Sequence, residues 1–294
     1  MRALLLAAAA LLACAGAARA QTPAAPAKEL FGAVESPAAL ATRSIGFYSK
    51  GCIAGATALP VDGPGDVGPL WQAMRLSRNR NWGHPALVAF IERFAAEVPK
   101  VSSWPGILVG DMSQPRGGPM RTGHASHQVG LDADIWLTPS PGKELSRADR
   151  ESKSAVMMVR PDRLDVNPAV FTKDQVAVIR AAASDSQVER VFVNAAIKKA
   201  LCRAAGDDKG WLAKVRPYWG HDTHMHVRLF CQKDSPDCRP QEPPPAGDGC
   251  GAELAWWFTD EVLHPKPPKE PPKPKPPMTL ADLPAACTAV LDAR

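Results

Sequence analysis

Residues 131–137 alternate apolar and acidic positions: Asp132, Asp134 and Trp136 face one way, while Ala133, Ile135 and Leu137 face the other. That period of two predicts a strand with one face in the core and both carboxylates on the opposite face. The run 224–230 repeats the pattern, with His224, His226 and Arg228 on one face and Met225, Val227 and Leu229 on the other. Gly106–Gly110 and Val188–Val193 read as further strands. A different period marks 84–98, where Leu87, Phe90, Ile91, Phe94 and Val98 recur at steps of three and four, the stripe of an amphipathic helix behind His84-Pro85. Lys173–Ala183 is predicted helical, and Asn194 is placed to cap a helix reaching about Ala204. The fold class that follows is α+β, an antiparallel sheet carrying the polar clusters, with flanking helices and long loops.

The remaining stretches lack such periods. Residues 111–123 form a Gly/Pro-rich loop that delivers the first polar cluster, and 138–170 read as a polar surface excursion. Residues 21–35, rich in Ala and Pro, read as a loose leader. Pro265–Pro277 is a Pro/Lys tract with a single Glu, which favours extended polyproline II and cannot build a core. Beyond it, Ala281–Arg294 is a short amphipathic tail. The division expected is a signal segment over 1–20, one domain over 21–264, a linker over 265–277 and a tail over 278–294 held by a disulfide.

Composition sharpens the compartment. Met1-Arg2 precedes an uncharged apolar run to Ala18, and Ala18-Arg19-Ala20 offers the small residues a signal peptidase reads. The apolar run is too short to span a bilayer. Leu11-Leu12-Ala13-Cys14 loosely resembles a lipoprotein box, but its second position is larger than such a box prefers, so a cleaved leader is the expectation. Of seven cysteines, six lie beyond Cys14, namely Cys52, Cys202, Cys231, Cys238, Cys250 and Cys287. An even number in an exported chain argues for three disulfides, whose pairing spacing alone leaves open. The formal net charge of +5 is mild, and nucleic-acid binding has little support.

The candidate chemistry sits in two short clusters. His124, His127, Asp132 and Asp134 form the first, and His221, His224 and His226 the second, so five of the chain's seven histidines fall here. Imidazole and carboxylate are the protein ligands of a catalytic zinc, which takes three side chains and leaves one position open. His127, Asp134 and His226 are the expected ligands. His224, on the same strand face two residues before His226, is placed for proton transfer. His124 is a further metal or supporting candidate, and Asp132 either orients a histidine or is a solvated strand residue. A cluster of satisfied polar residues around a turn is the bland alternative; it suits any one histidine better than five. His84 reads as structural. Ser126 lies between two histidines without the Gly-x-Ser-x-Gly elbow of a nucleophile, and no His-Glu-x-x-His helix is present.

His127-x-x-Gly130-x-x-x-Asp134 followed by His224-x-His226 resembles the zinc peptidases that group D-alanyl-D-alanine carboxypeptidases with lysostaphin-type endopeptidases. Gly123–Gln128 and His224–Leu229, with Ser44-Ile45-Gly46, Gly51–Ala56, Val215-Arg216-Pro217 and Gly247–Leu254, resemble more closely the penicillin-insensitive murein endopeptidases of Gram-negative periplasm. The resemblance implies a Zn(2+) cofactor, murein as partner and cleavage of the D-alanyl–meso-diaminopimelyl amide in its cross-links. It also implies proton transfer by His224 with His221, and the cystines Cys52–Cys287, Cys202–Cys250 and Cys231–Cys238. The wider group's carboxypeptidases carry a glutamate three residues before a zinc-binding histidine. Here His221 and Thr223 stand at those positions, which favours endopeptidase over carboxypeptidase chemistry; a murein-binding protein without turnover is the other alternative. A homodimer is left open, and the 138–170 region matches the family least.

Overall fold

The computed structural model describes residues 25–268, 270 and 273–294; the expected leader 1–20, with Cys14, lies outside the described residues. The elements in order are α1 (Ala27–Gly32), β1 (Arg43–Phe47), β2 (Lys50–Ala54), β3 (Thr57–Ala58), β4 (Trp71–Ala73), β5 (Trp82–Gly83), α2 (Pro85–Val101), β6 (Ile107–Val109), β7 (Asp132–Trp136), α3 (Arg147–Ser152), α4 (Lys173–Ser184), β8 (Val188–Val193), α5 (Ala195–Ala204), β9 (Val215–Pro217), β10 (His224–Leu229), α6 (Ala252–Trp256), α7 (Asp260–Leu263) and α8 (Ala286–Asp292). Among the described residues, no helix is long and apolar enough to cross a membrane.

A six-stranded sheet runs β4-β6-β7-β10-β8-β9. Its centre is antiparallel, as the alternation of 131–137 and 224–230 predicts, and the two edge pairs, β4–β6 and β8–β9, are parallel. One face takes the apolar halves of the alternating strands. Ala133, Ile135, Val191, Met225 and Val227 there meet Leu87, Ile91 and Phe94 of α2 and Val178 and Ile179 of α4 in one core. Local signals set the helix starts. Asn194 Oδ1 accepts from Ala196 N at 2.9 Å, Thr172 and Gln175 close a capping box on α4, and His84 Nδ1 accepts from Ala86 N at 3.1 Å ahead of Pro85. With the apolar side filled, the charged halves of β7 and β10 are left for the opposite face.

Two segments depart from expectation. Residues 25–35 are not a loose leader: α1 inserts Ala27 and Phe31 into a second core with Ile45, Cys52, Leu283, Cys287 and Val290. The Ala/Pro composition hid it because a helix this short shows barely one turn of periodicity. Nor is 138–170 all surface. Met158, Val159 and Val166 join the main core, and Arg150, 2 % exposed, is buried. Its guanidinium donates to Leu145 O (3.0 Å), Ala73 O (3.1 Å), Gln72 Oε1 (3.1 Å) and Asp62 Oδ1 (2.6 Å). A polar side chain with its donors met can sit inside a protein, and counting polar residues misses that.

Three disulfides join Cys52 to Cys287, Cys202 to Cys250 and Cys231 to Cys238, the pairs that the resemblance implies. The first closes a separation of 235 residues and fixes α8 against β2. Arg116 adds a second tie, with Nη1 donating to Val290 O at 3.0 Å while its own carbonyl accepts from Ile53 N at 3.1 Å. Replacing Cys52 and Cys287 together by Ala is expected to lower the unfolding free energy by about 3–5 kcal/mol, because so long a closed loop removes much entropy from the unfolded chain. Equilibrium urea denaturation of the oxidised proteins measures this; an unchanged midpoint would leave the tail held by packing alone.

Candidate metal centre

The register of β7 and β10 brings the two clusters together. His226 lies opposite Asp134 and Arg228 opposite Asp132, and on the far side of β10 His226 faces Phe192 of β8. The loop before β7 supplies His124 and His127. Gln128 anchors it to the β1–β2 turn: Oε1 accepts from Gly51 N at 3.1 Å and Nε2 donates to Ser49 O at 2.9 Å. Gly130 returns the chain with φ +72, and a Cβ there would come 2.4 Å from Ile53 Cδ1, so no side chain fits. His127 itself adopts φ 67 and is fully buried; His221 adopts φ 55. Left-handed backbone is uncommon outside glycine and is tolerated where surrounding contacts over-determine it.

Asp134 Oδ1 is the point of convergence. It lies 3.2 Å from His226 Nδ1, 3.5 Å from His127 Nε2 and 3.6 Å from His224 Nε2. Among the described residues, Asp134 Oδ1, His127 Nε2 and His224 Nε2 are buried without a hydrogen-bond partner. Four ligands around a zinc ion at about 2.0–2.1 Å would stand roughly 3.3–3.4 Å apart, so these separations fit a tetrahedral donor set. The other oxygen, Asp134 Oδ2, meets His124 Nε2 at 3.2 Å, and His124 also reaches Asp111 Oδ2 at 3.4 Å. By mutual proximity alone, His124, His127 and Asp134 form a group with ligand atoms within 4.8 Å of one another. His127 and Asp134 belong to both sets; the first adds His226 and His224, the second His124.

Neighbouring acceptors fix the ring tautomers. Asp132 Oδ1 accepts from His226 Nε2 at 2.6 Å, which leaves Nδ1 unprotonated towards Asp134. The Asp132 carbonyl, 3.3 Å from His127 Nδ1, leaves Nε2 facing inward. Asp132 therefore orients histidines and is wholly buried, not solvated. Arg228 Nε donates to the same carboxylate oxygen at 2.6 Å.

Burial works against both carboxylates, yet both are held ionised. For Asp132 the Arg228 charge and the His226 bond prevail over burial and keep it well below the usual range. For Asp134 burial is overcome by His127 and His224, again well below that range. Arg228 answers Asp132, whereas every partner of Asp134 named above is an imidazole. A buried carboxylate so placed calls for a cation among its histidines. Burial pushes His224 below the ordinary imidazole value, and burial with the neighbouring His226 and His224 takes His221 to about 4, so both rings favour the neutral form near pH 7. His226 goes the other way: burial would lower it, but Asp132 and Asp134 raise it.

A cleft of ≈ 180 Å³ opens onto His124, His221 and His226 and is walled by Tyr48, Phe192 and Tyr218. The Arg228 guanidinium lies 3.6 Å from the Tyr48 ring centroid and so joins the charged floor to an aromatic wall. All seven residues singled out from the sequence meet in this region; His221 is the outermost, its ring 5.0 Å from that of His224 and 5.7 Å from that of His226. Ser126 lines the cleft, and His84 lies apart, capping α2 and contacting Asp234. Asp111, Arg228 and Tyr48 were not foreseen. Alternation already placed Arg228 on the His226 face, and Asp111, held at about 2 against burial by His124, Arg80 and Arg78, opens the loop that carries His124. Tyr48 gives no signal, since only the β1–β2 turn brings it here.

The family model described as penicillin-insensitive murein endopeptidase matches residues 44–292. Curated proteins bearing that name are similar over most of their length. The relative from Pectobacterium atrosepticum is 45% identical over 260 residues, covering 88% of this chain and 87% of its own. Those from Klebsiella pneumoniae subsp. pneumoniae and Haemophilus influenzae are 44% identical (88% of this chain, 89% of the relative) and 43% identical (84% and 82%). With the match spanning the sheet, both histidine clusters and all six cysteines of the described chain, the protein belongs to the penicillin-insensitive murein endopeptidase family.

Proposed function

We propose that the chain is a zinc-dependent endopeptidase of the periplasm that hydrolyses the D-alanyl–meso-diaminopimelyl amide of murein cross-links. The observation that carries the reading is the convergence of three imidazole nitrogens on the buried Asp134 Oδ1, two of which, His127 Nε2 and His224 Nε2, are buried without a hydrogen-bond partner. Export is supported by the leader-like 1–20 and by three disulfides, which persist in oxidising compartments.

His127 Nε2, Asp134 Oδ1 and His226 Nδ1 would hold the ion. His226 is preferred to His124 because its ring is locked by Asp132, whereas His124 Nε2 sits between the carboxylates of Asp134 and Asp111, where a nitrogen donates a proton rather than a lone pair. A zinc ion bound there supplies Lewis acidity, polarising the scissile carbonyl and lowering the pKa of water towards neutrality. His224 Nε2, beside Asp134 and kept neutral by burial, takes the proton from the attacking water and returns it to the leaving amine. His221 donates Nδ1–H to Trp219 O at 2.8 Å, which leaves Nε2 as the unprotonated nitrogen of a ring that lines the cleft. Asp132 keeps His226 aligned, and Tyr48, Phe192 and Tyr218 exclude water from the reacting centre.

Three outcomes are expected. Replacing His127, Asp134 or His226 by Ala abolishes release of monomeric muropeptides from purified sacculi and empties the site in metal analysis, while His224→Ala keeps its metal and loses about two or more orders of magnitude in rate. A zinc-free, folded His224→Ala protein would make His224 a ligand. Asp132→Asn, which keeps the size but not the charge, is expected to weaken zinc binding about 10–100-fold in competition with a chromophoric chelator. An unchanged affinity would refute its orienting role. Finally, a chelator stops cross-link cleavage, whereas saturating penicillin leaves it unchanged, because the chain offers no serine in an elbow to be acylated. A stoichiometric mass increase from penicillin with loss of activity would overturn the mechanism.

A further inference from the structure

Beyond the metal centre, a second and larger cleft of ≈ 390 Å³ lies against the first, and Tyr218 lines both. Its wall is aromatic. Tyr218 is 54% exposed and Trp219 51%, which are among the largest apolar exposures on the described surface, and Trp257 and Phe258 line the cleft beside them. The Trp219 and Trp257 rings meet edge-on at 4.8 Å, and Trp256 and Trp257 at 5.3 Å. Contiguous exposed aromatics next to a reactive centre mark a binding surface. The wall is also held firm, as Asn194 Nδ2 donates to Gly220 O at 3.2 Å and Met158 N to Asp222 O at 2.8 Å.

The rim is polar. Arg160, Arg163 and Asp222 stand around the indoles, and Arg163 is fixed by a 3.0 Å bond to Leu263 O. An extended peptide would bind chiefly through backbone bonds to an open strand edge. The strand that leads into this wall, β9, ends on Pro217, which has no N–H to offer. Exposed aromatic faces, those of Tyr218 and Trp219, with a charged, hydrogen-bonding rim suit a different ligand, a pyranose ring, whose C–H face lies flat on an aromatic surface while its hydroxyls and amides reach polar edges.

We infer that the cleft walled by Tyr218, Trp219 and Trp257 is a subsite for the N-acetylated amino sugar that carries one stem peptide of the cross-link. This rests on the peptidase reading above. The ridge at Tyr218 then separates the arm that reaches the metal from the arm that is anchored by its sugar.

The test compares kcat/KM on two cross-linked dimers, one with the disaccharide on each stem and one from which an amidase has removed it. Trp257 is the residue to vary, because its side chain reaches only the second cleft, whereas the Trp219 carbonyl holds His221. Trp257→Ala is expected to lose about 10-fold in kcat/KM on the sugar-bearing dimer, mainly through KM, as removal of a contact of this size does. On the sugar-free dimer it should match wild type, and Trp257→Phe should recover most of the loss. An equal loss on both dimers would mean that Trp257 shapes the metal cleft or binds peptide, and no loss on either would mean that the wall is idle; both results overturn the inference. Wild type cleaving neither dimer would instead sink the peptidase reading, and the subsite with it.

Discussion

A buried carboxylate surrounded only by imidazoles is the constraint on which this molecule depends. Asp134 is 4% exposed and held ionised, and the charge has no arginine of its own. Each feature around it answers that problem. The antiparallel register puts His226 opposite it, the Gly-rich loop turns through a left-handed backbone to aim His127, and the Asp132–Arg228 pair settles the second buried charge. Positive charge admitted among these histidines would relieve the structure and arm it at once, which is why the stability of the face and its chemistry are one problem.

The parts legible in the sequence were those with a period. Alternation in 131–137 and 224–230 put Asp132, Asp134, His224, His226 and Arg228 on single strand faces, and the pairing of β7 with β10 sets those faces side by side. The stripe from Leu87 to Val98 marked α2 within a few residues. What was not legible depends on contacts across long separations. Tyr48 reaches the site through a turn that lies 144 residues before Phe192 in the sequence, and Arg150 is buried only because backbone carbonyls from β4 and neighbouring loops surround it. Helix α1 is too short to announce itself and exists because the tail covers it.

The same distinction bears on the two walls of the cleft. The metal side is built by β7 and β10, where backbone pairing fixes each side chain, and by the loop of His124 and His127 that Gln128 anchors, whereas the aromatic side is built by the 218–222 turn and the segments 157–163 and 257–263, which are irregular or in short helices. The groups that converge on Asp134 are therefore on the sheet and a loop bonded to it, and the outer wall is on less regular segments. The segment 138–170, which the family match includes, supplies Met157, Val159 and Arg160 to the outer cleft and no residue to the inner one.

Arg116 ties the site to a distant part of the chain. Its guanidinium needs the carbonyl of Val290 while its backbone holds Ile53, and the loop in which it lies goes on to carry His124 and His127. The seat of that loop is thus assembled from residues far apart in sequence, β2 on one side and α8 on the other. The aim of His127 thereby depends on a helix that supplies no residue to the inner cleft, so α8 belongs to the frame of the site without touching it.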